Sequence, residues 1–373
     1  MSGGYKDRVD DLRSEAARAP EGPLQVDLLE EAVRVADVHQ DLDLGYESRI
    51  ELVDAACWAG FPDRMLVAYT WCLAQFDRHP GRFEVFQLYW MYKWILNEVT
   101  YFLRIPRDRI DAAFEDARRR YGERGFSPRP LHQLRTTALS FMGHPAEAEE
   151  QHRKWMDAPR DSYSDCAACE LSCRVDYLIE QRRDEEAVET ARPLLLGRQR
   201  CKEEPGRTFS RILRPLVRLG RAAEAIPCYL KAARFTGRNP KFIWAAGNFL
   251  SFLGLTGNLP RGLRLVEGRF RIALETRAPS NRFDFLLGLR LFLGILAETR
   301  EQPLKLRLPD TFPLFRPDAS YPLPDLLAWC DRELSDLARQ FDARNGTDAL
   351  ARRVAAHGDL RKHAVSLPIS SKP

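Results

Sequence analysis

The chain has 373 residues, of which 45% are hydrophobic and 29% are charged, and its formal net charge is +4. This composition is typical of a folded globular protein and excludes a disordered or collagen-like chain. The longest nearly apolar run, residues 285–297, contains Arg290 and is too short to cross a bilayer. We therefore expect a buried helix there and no membrane association.

The first twenty residues, "MSGGYKDRVDDLRSEAARAP", contain no apolar stretch of the kind found in secretory signals. This favours a cytoplasmic location. In that compartment the eight cysteines are expected to be reduced thiols rather than disulfides.

Helical periodicity runs through nearly the whole chain, beginning with residues 28–38 and 49–60, where apolar side chains recur every three or four positions. Alternation of β-branched residues is scarce, and no segment forms a convincing hairpin. The sequence predicts an all-α protein with at least five helix pairs and no sheet.

A four-position pattern recurs along the chain, with substitutions in some copies. It consists of a turn residue, a small residue, an aromatic residue and a second small residue. Its clearest copy has Gly220, Ala225, Tyr229 and Ala232. A glycine accepts the positive φ of a tight turn, and a small residue five positions later lets two helices approach closely. One such pair cannot bury its apolar face alone, so pairs are expected to stack. The copies cover residues 58–72, 141–156, 181–195, 218–235 and 255–268.

The turn positions 143, 182, 220 and 257 follow one another at 39, 38 and 37 residues. The pattern resembles the second helix of tetratricopeptide (TPR) repeats over roughly residues 25–300. The first-helix Trp and Leu-Gly signature is absent and the spacing exceeds 34 residues, so the array is irregular. The segments "SDCAACELSC", "LVRLGRAAEA" and "LRLPDTFPLF" also resemble bacterial TPR-repeat proteins of unassigned function. The resemblance implies an α-solenoid of antiparallel helix pairs with a C-terminal helical cap, and it implies no reaction.

The sequence divides into five predicted segments. Proline removes a backbone donor and pushes the preceding residue out of the α conformation, so the Pro-rich stretch is expected to be extended and to end the array. The segments are an N-terminal segment (1–24), the repeat array (25–300), the Pro-rich extended segment (301–322), C-terminal helices (323–361) and a disordered tail (362–373).

Motifs for known chemistry are missing from the sequence. There is no phosphate loop, no dinucleotide-binding glycine motif, no H-E-x-x-H and no G-x-S-x-G. The histidines are scattered, and no acid–base pair stands out. We therefore expect a protein that is not an enzyme and needs no cofactor, with a structural zinc as the one exception considered.

That exception concerns a cluster of thiols. Cys166, Cys169 and Cys173 share one face of a predicted helix, and Cys201 follows near the end of the same repeat. Four thiolates in this order could enclose a tetrahedral zinc. Packing as small buried side chains is the interpretation that the sequence favours over the metal, and redox chemistry is a third.

A second candidate site is basic. Residues 192–300 hold 21 Lys or Arg against 7 Asp or Glu, a local balance of +14. Within this region Arg207, Arg211, Arg214 and Arg218 fall along one helical stripe, with Pro215 expected to kink it.

By resemblance to TPR proteins, Arg207, Arg214 and Arg218 would face a concave groove. The hypothesis is that the stripe, taken as unpaired cations, binds an acidic peptide or protein segment, so that the protein acts as an interaction scaffold or regulatory adaptor. Two alternatives remain open. Nearby acids such as Glu203 and Glu204 would neutralise the stripe, or the basic half would bind nucleic acid.

Overall fold

A computed structural model of the chain describes residues 4–299 and 303–369. In this part of the chain the secondary structure is almost entirely helical, as predicted. The chain forms two compact units, the first comprising residues 1–101 with 239–241 and the second residues 102–238 with 242–373.

In the first unit each helix packs against the next one in sequence. Val9, Leu12, Ala32 and Ala36 form a small buried core between its first two helices. The helices are α1 (Gly4–Arg18), α2 (Pro23–Val38), α3 (Leu42–Ala59), α4 (Pro62–Arg78) and α5 (Val85–Val99).

The second unit is also helical, and its last helix is followed by a short 3-10 turn, Asp359–His363. Its helices are α6 (Arg107–Glu123), α7 (Arg129–Met142), α8 (Pro145–Asp157), α9 (Ala167–Glu180), α10 (Asp184–Leu195), α11 (Gly206–Arg211), α12 (Leu213–Arg218), α13 (Ala222–Thr236), α14 (Ile243–Leu255), α15 (Leu259–Glu275), α16 (Pro279–Thr299), α17 (Leu323–Asn345) and α18 (Ala349–Gly358).

All five turns that the repeat pattern predicts are left-handed. The turn residue has a positive φ in every case, and four of the five are glycine. The φ values are 80° at Gly60, 84° at Gly143, 59° at Arg182, 72° at Gly220 and 72° at Gly257. The helices on either side of each turn pack together: α3 with α4, α7 with α8, α9 with α10, α12 with α13 and α14 with α15. The prediction of five helix pairs is confirmed.

The positions five residues after these turns are buried. Ala148, Ala187 and Ala225, each five residues after its turn, are fully buried. Gly262 occupies the same position after the turn at 257, and a Cβ there would lie 2.2 Å from the Phe292 ring. Four of the five copies thus have a small residue at this buried position, and Met65 is the exception in the copy that turns at Gly60.

The prediction of no sheet is wrong in one detail. Within the Pro-rich segment, strands β1 (Leu304–Lys305) and β2 (Ser320–Tyr321) pair antiparallel. Leu304 and Tyr321 are both buried against the helical core, which holds the two strands together. Strands of two residues are too short for a periodicity argument to detect.

The largest described core lies between α14, α15, α16 and α17, with Phe270, Phe292 and Trp329 among its members. The apolar run 285–297 is inside α16 and is largely buried, as expected. Two glycines bring α14 and α16 into backbone contact, since a Cβ on Gly288 would lie 1.9 Å from the carbonyl oxygen of Gly247. Among the helices of the described residues, none combines the length and the apolar character that a bilayer crossing requires.

Residues 364–369, part of the predicted disordered tail, lie along the end of α14. The N–H groups of Val365 and Leu367 donate to the carbonyls of Leu255 and Thr256, at 2.8 and 3.1 Å. The last carbonyls of a helix have no donor within that helix. The N–H groups of this extended segment provide the missing donors. The structure thus differs from the expected disorder over these residues. Residues 370–373 of the predicted tail lie outside the described part.

Candidate functional site

Three of the four predicted cysteines meet at the N-terminal end of α9. Cys166 is the N-cap of this helix, and its Sγ accepts a hydrogen bond from the Cys169 N–H at 3.4 Å. Cys201 approaches from the loop between α10 and α11, which places its Sγ 3.4 Å from that of Cys169. The three sulfur atoms all lie within 4.8 Å of one another. We call Cys166, Cys169 and Cys201 the thiol cluster.

Cys173, the remaining predicted ligand, is not part of the thiol cluster. It follows Cys166 by seven residues along α9, which corresponds to a rise of about 10 Å. Its sulfur instead accepts a hydrogen bond from Nε2 of Gln133 at 3.3 Å. Burial raises the pKa of the Cys173 thiol to about 12, so this thiol stays protonated.

The thiol cluster combines burial with donors aimed at sulfur. Burial raises the pKa of both Cys169 and Cys201. The backbone of Glu203 and Glu204 opposes this at Cys201 by hydrogen bonding to its sulfur, and the charge of Arg207 opposes it at Cys169. Cys166 itself is exposed, so solvent reaches the cluster. Neutral thiols are favoured here until a cation compensates the charge of the thiolates.

The arginine stripe spans two short helices rather than one. The helix is interrupted at Ile212, between α11 and α12, because Pro215 has no N–H to donate to the carbonyl of Arg211. Phe209, Leu213 and Leu216 of these two helices are buried.

Three of the four stripe arginines are paired within the chain. The assumption that the stripe is unpaired is therefore wrong for these three, and the predicted pairing with Glu203 and Glu204 is present. Arg207 pairs with Glu203 at 2.9 Å and Glu204 at 3.8 Å, Arg211 with Asp176 at 3.1 Å, and Arg218 with Asp184 through a bidentate contact.

Arg214 differs from its neighbours on the stripe. Its Nε is buried and has no hydrogen-bond partner among the described residues. The side chain lines a cavity of about 60 Å³ at the C-terminal end of α9. We call this the arginine cavity, and its polar lining comprises Glu180, Arg182, Arg214, Arg218, Arg353 and His357.

Positive charge dominates the arginine cavity. Burial, and then repulsion from Arg353, lowers the pKa of the Arg214 guanidinium to about 10. Burial together with Arg214 and Arg353 holds the pKa of His357 well below its usual value, so this imidazole is neutral. Its Nε2 lies 2.9 Å from Oγ of Ser251. Burial opposes ionisation of Glu180, but the surrounding arginines, with Arg353 and Arg214 foremost, together outweigh it and lower the pKa of its carboxyl.

The acids near the cavity offset only part of this charge. Arg218 and Arg353 are neutralised by Asp184 and Asp284, the latter at 2.9 Å. Arg182 and Arg214 then face Glu180 alone within the lining. A cavity with a cationic surplus and a buried, unpartnered N–H favours an anionic group such as a carboxylate or phosphate.

Sequence reasoning found Arg214 and Arg218 but missed the other lining residues. Arg353 and His357 come from α18, more than a hundred residues further along the chain, and no local pattern links them to the stripe. Arg182 was distinguishable in the sequence, because it occupies a repeat turn at which the other copies have glycine.

No protein-family model matches the chain, and no curated protein sequence matches it. The TPR resemblance therefore stays a prediction.

Proposed function

We propose that the protein is a non-catalytic cytoplasmic adaptor that binds an acidic segment of another protein. One carboxylate of that segment enters the arginine cavity and receives hydrogen bonds from Arg214. The rest of the segment lies along the surface next to the cavity.

The buried Nε of Arg214 carries this proposal. A buried donor without a partner is costly, and Arg214 is also repelled by Arg353. A bound carboxylate supplies both the missing acceptor and the missing negative charge. The cavity has room for a few water-sized groups, each of which needs about 10–15 Å³, so it suits the head of a ligand rather than a whole cofactor.

The proposal also includes the repeat architecture. We propose that the helix pairs stack as an irregular TPR-like solenoid, because the five left-handed turns join consecutive, contacting helices. Repeat arrays of this kind present extended binding surfaces, which suits an adaptor. Small-angle X-ray scattering tests this part, since a solenoid and a closed bundle of equal mass differ in their distance distributions.

The binding proposal is tested with short, fluorescent peptides rich in Asp and Glu that end in a free carboxylate. Fluorescence anisotropy should detect binding that weakens as salt rises. Arg214→Met should weaken it at least tenfold, because a desolvated charge pair loses one partner. The melting temperature of this variant should be unchanged or higher, since burial and repulsion disfavour the Arg214 charge in the free protein.

Arg332→Met is the matched control, because Arg332 is exposed on α17 and outside the cavity lining. It should bind the peptides as the parent does. Equal binding by Arg214→Met and the parent would refute the proposal. So would binding of random-sequence DNA in preference to every acidic peptide, which would favour the nucleic-acid alternative.

A further inference from the structure

The thiol cluster has the composition of a metal site and plays no part in the proposed peptide binding. Three cysteines from two separate segments converge there, two from the start of α9 and one from a loop that follows α10. Cysteine thiolates are the preferred protein ligands of zinc and other thiophilic d¹⁰ ions.

The sulfur positions already approximate a zinc site. With Zn–S bonds of about 2.3 Å, two sulfurs of a tetrahedral site lie about 3.8 Å apart. In this protein one pair is at 3.4 Å and all three sulfurs fall within 4.8 Å. Side-chain movements of less than about 1 Å would bring all three into coordination, so no backbone rearrangement is required.

The surroundings of the sulfurs suit thiolates once a cation is present. The Cys166 sulfur accepts the Cys169 N–H, and the Cys201 sulfur interacts with the backbone of Glu203 and Glu204. The N-terminus of α9 adds the positive end of the helix dipole, and Arg207 adds a nearby positive charge. Hydrogen bonds to metal ligands hold those ligands in position in the same way.

We infer that Cys166, Cys169 and Cys201 bind one Zn²⁺ ion, with the fourth position open to a solvent-derived ligand. Three thiolates and one Zn²⁺ leave a net charge of −1, which the positive end of the α9 dipole partly offsets. The exposure of Cys166 gives the ion a route in from solvent. The ion joins the start of α9 to the loop that leads into α11, the helix that carries Arg207 and Arg211.

The test uses the full chain, reduced and freed of metal, titrated with Co²⁺ and then with Zn²⁺. We expect one Co²⁺ per chain, with sulfur-to-cobalt charge-transfer absorption and the visible bands of a tetrahedral ion, and displacement of cobalt by zinc. Cys166→Ser, Cys169→Ser and Cys201→Ser should each weaken Zn²⁺ binding at least tenfold in competition with a chromophoric chelator.

Cys173→Ser is the matched control, because it changes a thiol of the same helix that lies outside the thiol cluster. It should keep the parent affinity. A loss of affinity in Cys173→Ser equal to that in Cys169→Ser would overturn the three-ligand assignment.

A second measurement does not depend on how the variants fold. In the unaltered chain, Zn²⁺ should protect Cys166, Cys169 and Cys201 from alkylation, as mapped by peptide mass spectrometry, and should leave the modification of Cys57 unchanged. Absence of cobalt binding by the reduced protein, or equal alkylation of the cluster with and without Zn²⁺, would refute the inference. A Cys169–Cys201 disulfide in protein that binds no metal after reduction would refute it as well.

Discussion

The two ends of α9 carry opposite kinds of chemistry. The N-terminal end holds the thiol cluster, and about 20 Å away the C-terminal end contributes Glu180 to the arginine cavity. A helix dipole favours negative charge at its N-terminus and positive charge at its C-terminus, so thiolates at one end and guanidiniums at the other both agree with the backbone.

The ends differ in how far the chain satisfies its own charges. At the C-terminal end two of the four arginines that line the cavity have acids beside them, and one guanidinium nitrogen, Nε of Arg214, is buried without a hydrogen-bond partner among the described residues. At the N-terminal end neutral thiols need no partner until a metal arrives. The contrast indicates that charge at the arginine cavity contributes to the fold itself, whereas the thiol cluster contributes mainly when it is occupied.

The largest effect is expected from removing a paired cation at the arginine cavity. Arg218→Met should lower the free energy of unfolding by about 3 kcal/mol, because Asp184 stays nearly buried with its charge uncompensated. Denaturant unfolding measures this. Arg221→Met, which breaks the exposed pair with Glu224, is the control and should change stability by less than about 0.5 kcal/mol. Similar losses in the two variants would mean that burial of the Arg218–Asp184 pair does not increase its contribution to the free energy of unfolding.

Lowering the pH should reduce the stability of the protein through His357 in the arginine cavity, by an amount between those of the other two predictions. The pKa of His357 is lowered in the folded protein, so below about pH 6.5 the unfolded chain binds a proton that the folded chain excludes. Stability from this residue is therefore present at higher pH and is lost as pH falls, by about 1.4 kcal/mol between pH 8 and pH 5.5. His357→Gln should flatten the measured pH dependence by that amount. A parental slope in His357→Gln would contradict the prediction.

The smallest effect is expected at the N-terminal end in metal-free protein. There Cys169→Ser should cost less than about 1 kcal/mol, since the thiol is partly exposed and uncharged. Saturating Zn²⁺ should then raise the melting temperature of the parent and leave that of the variant unchanged. A loss in metal-free Cys169→Ser as large as that of Arg218→Met would instead favour simple packing as the role of these cysteines.

The sequence predicted local features well because they depend on neighbours along the chain. Gly143 and Gly220 follow from turn chemistry, and Ala187 and Ala225 from the need for small residues between paired helices. The break beside Pro215 follows from its missing N–H. Each of these features depends on only a few consecutive residues.

The sites themselves were only half predictable. The spacing of Cys166 and Cys169 predicted that these two thiols lie together. Excluding Cys173 from the thiol cluster required knowing which end of α9 the loop with Cys201 approaches. The pairing of Arg218 with Asp184 and the approach of Arg353 depend on how separate helices pack. A helical stripe shows which residues share a face but not which acids meet them.

The turn at residue 182 has a consequence for how stable this protein can become. At four of the five turns glycine adopts the left-handed conformation freely, whereas Arg182 adopts it at a backbone cost of roughly 1 kcal/mol. Arg182→Gly would relieve that strain and would also remove a guanidinium from the arginine cavity. Thermal stability and ligand recognition therefore compete at a single position, and selection for heat resistance alone would act against the cavity.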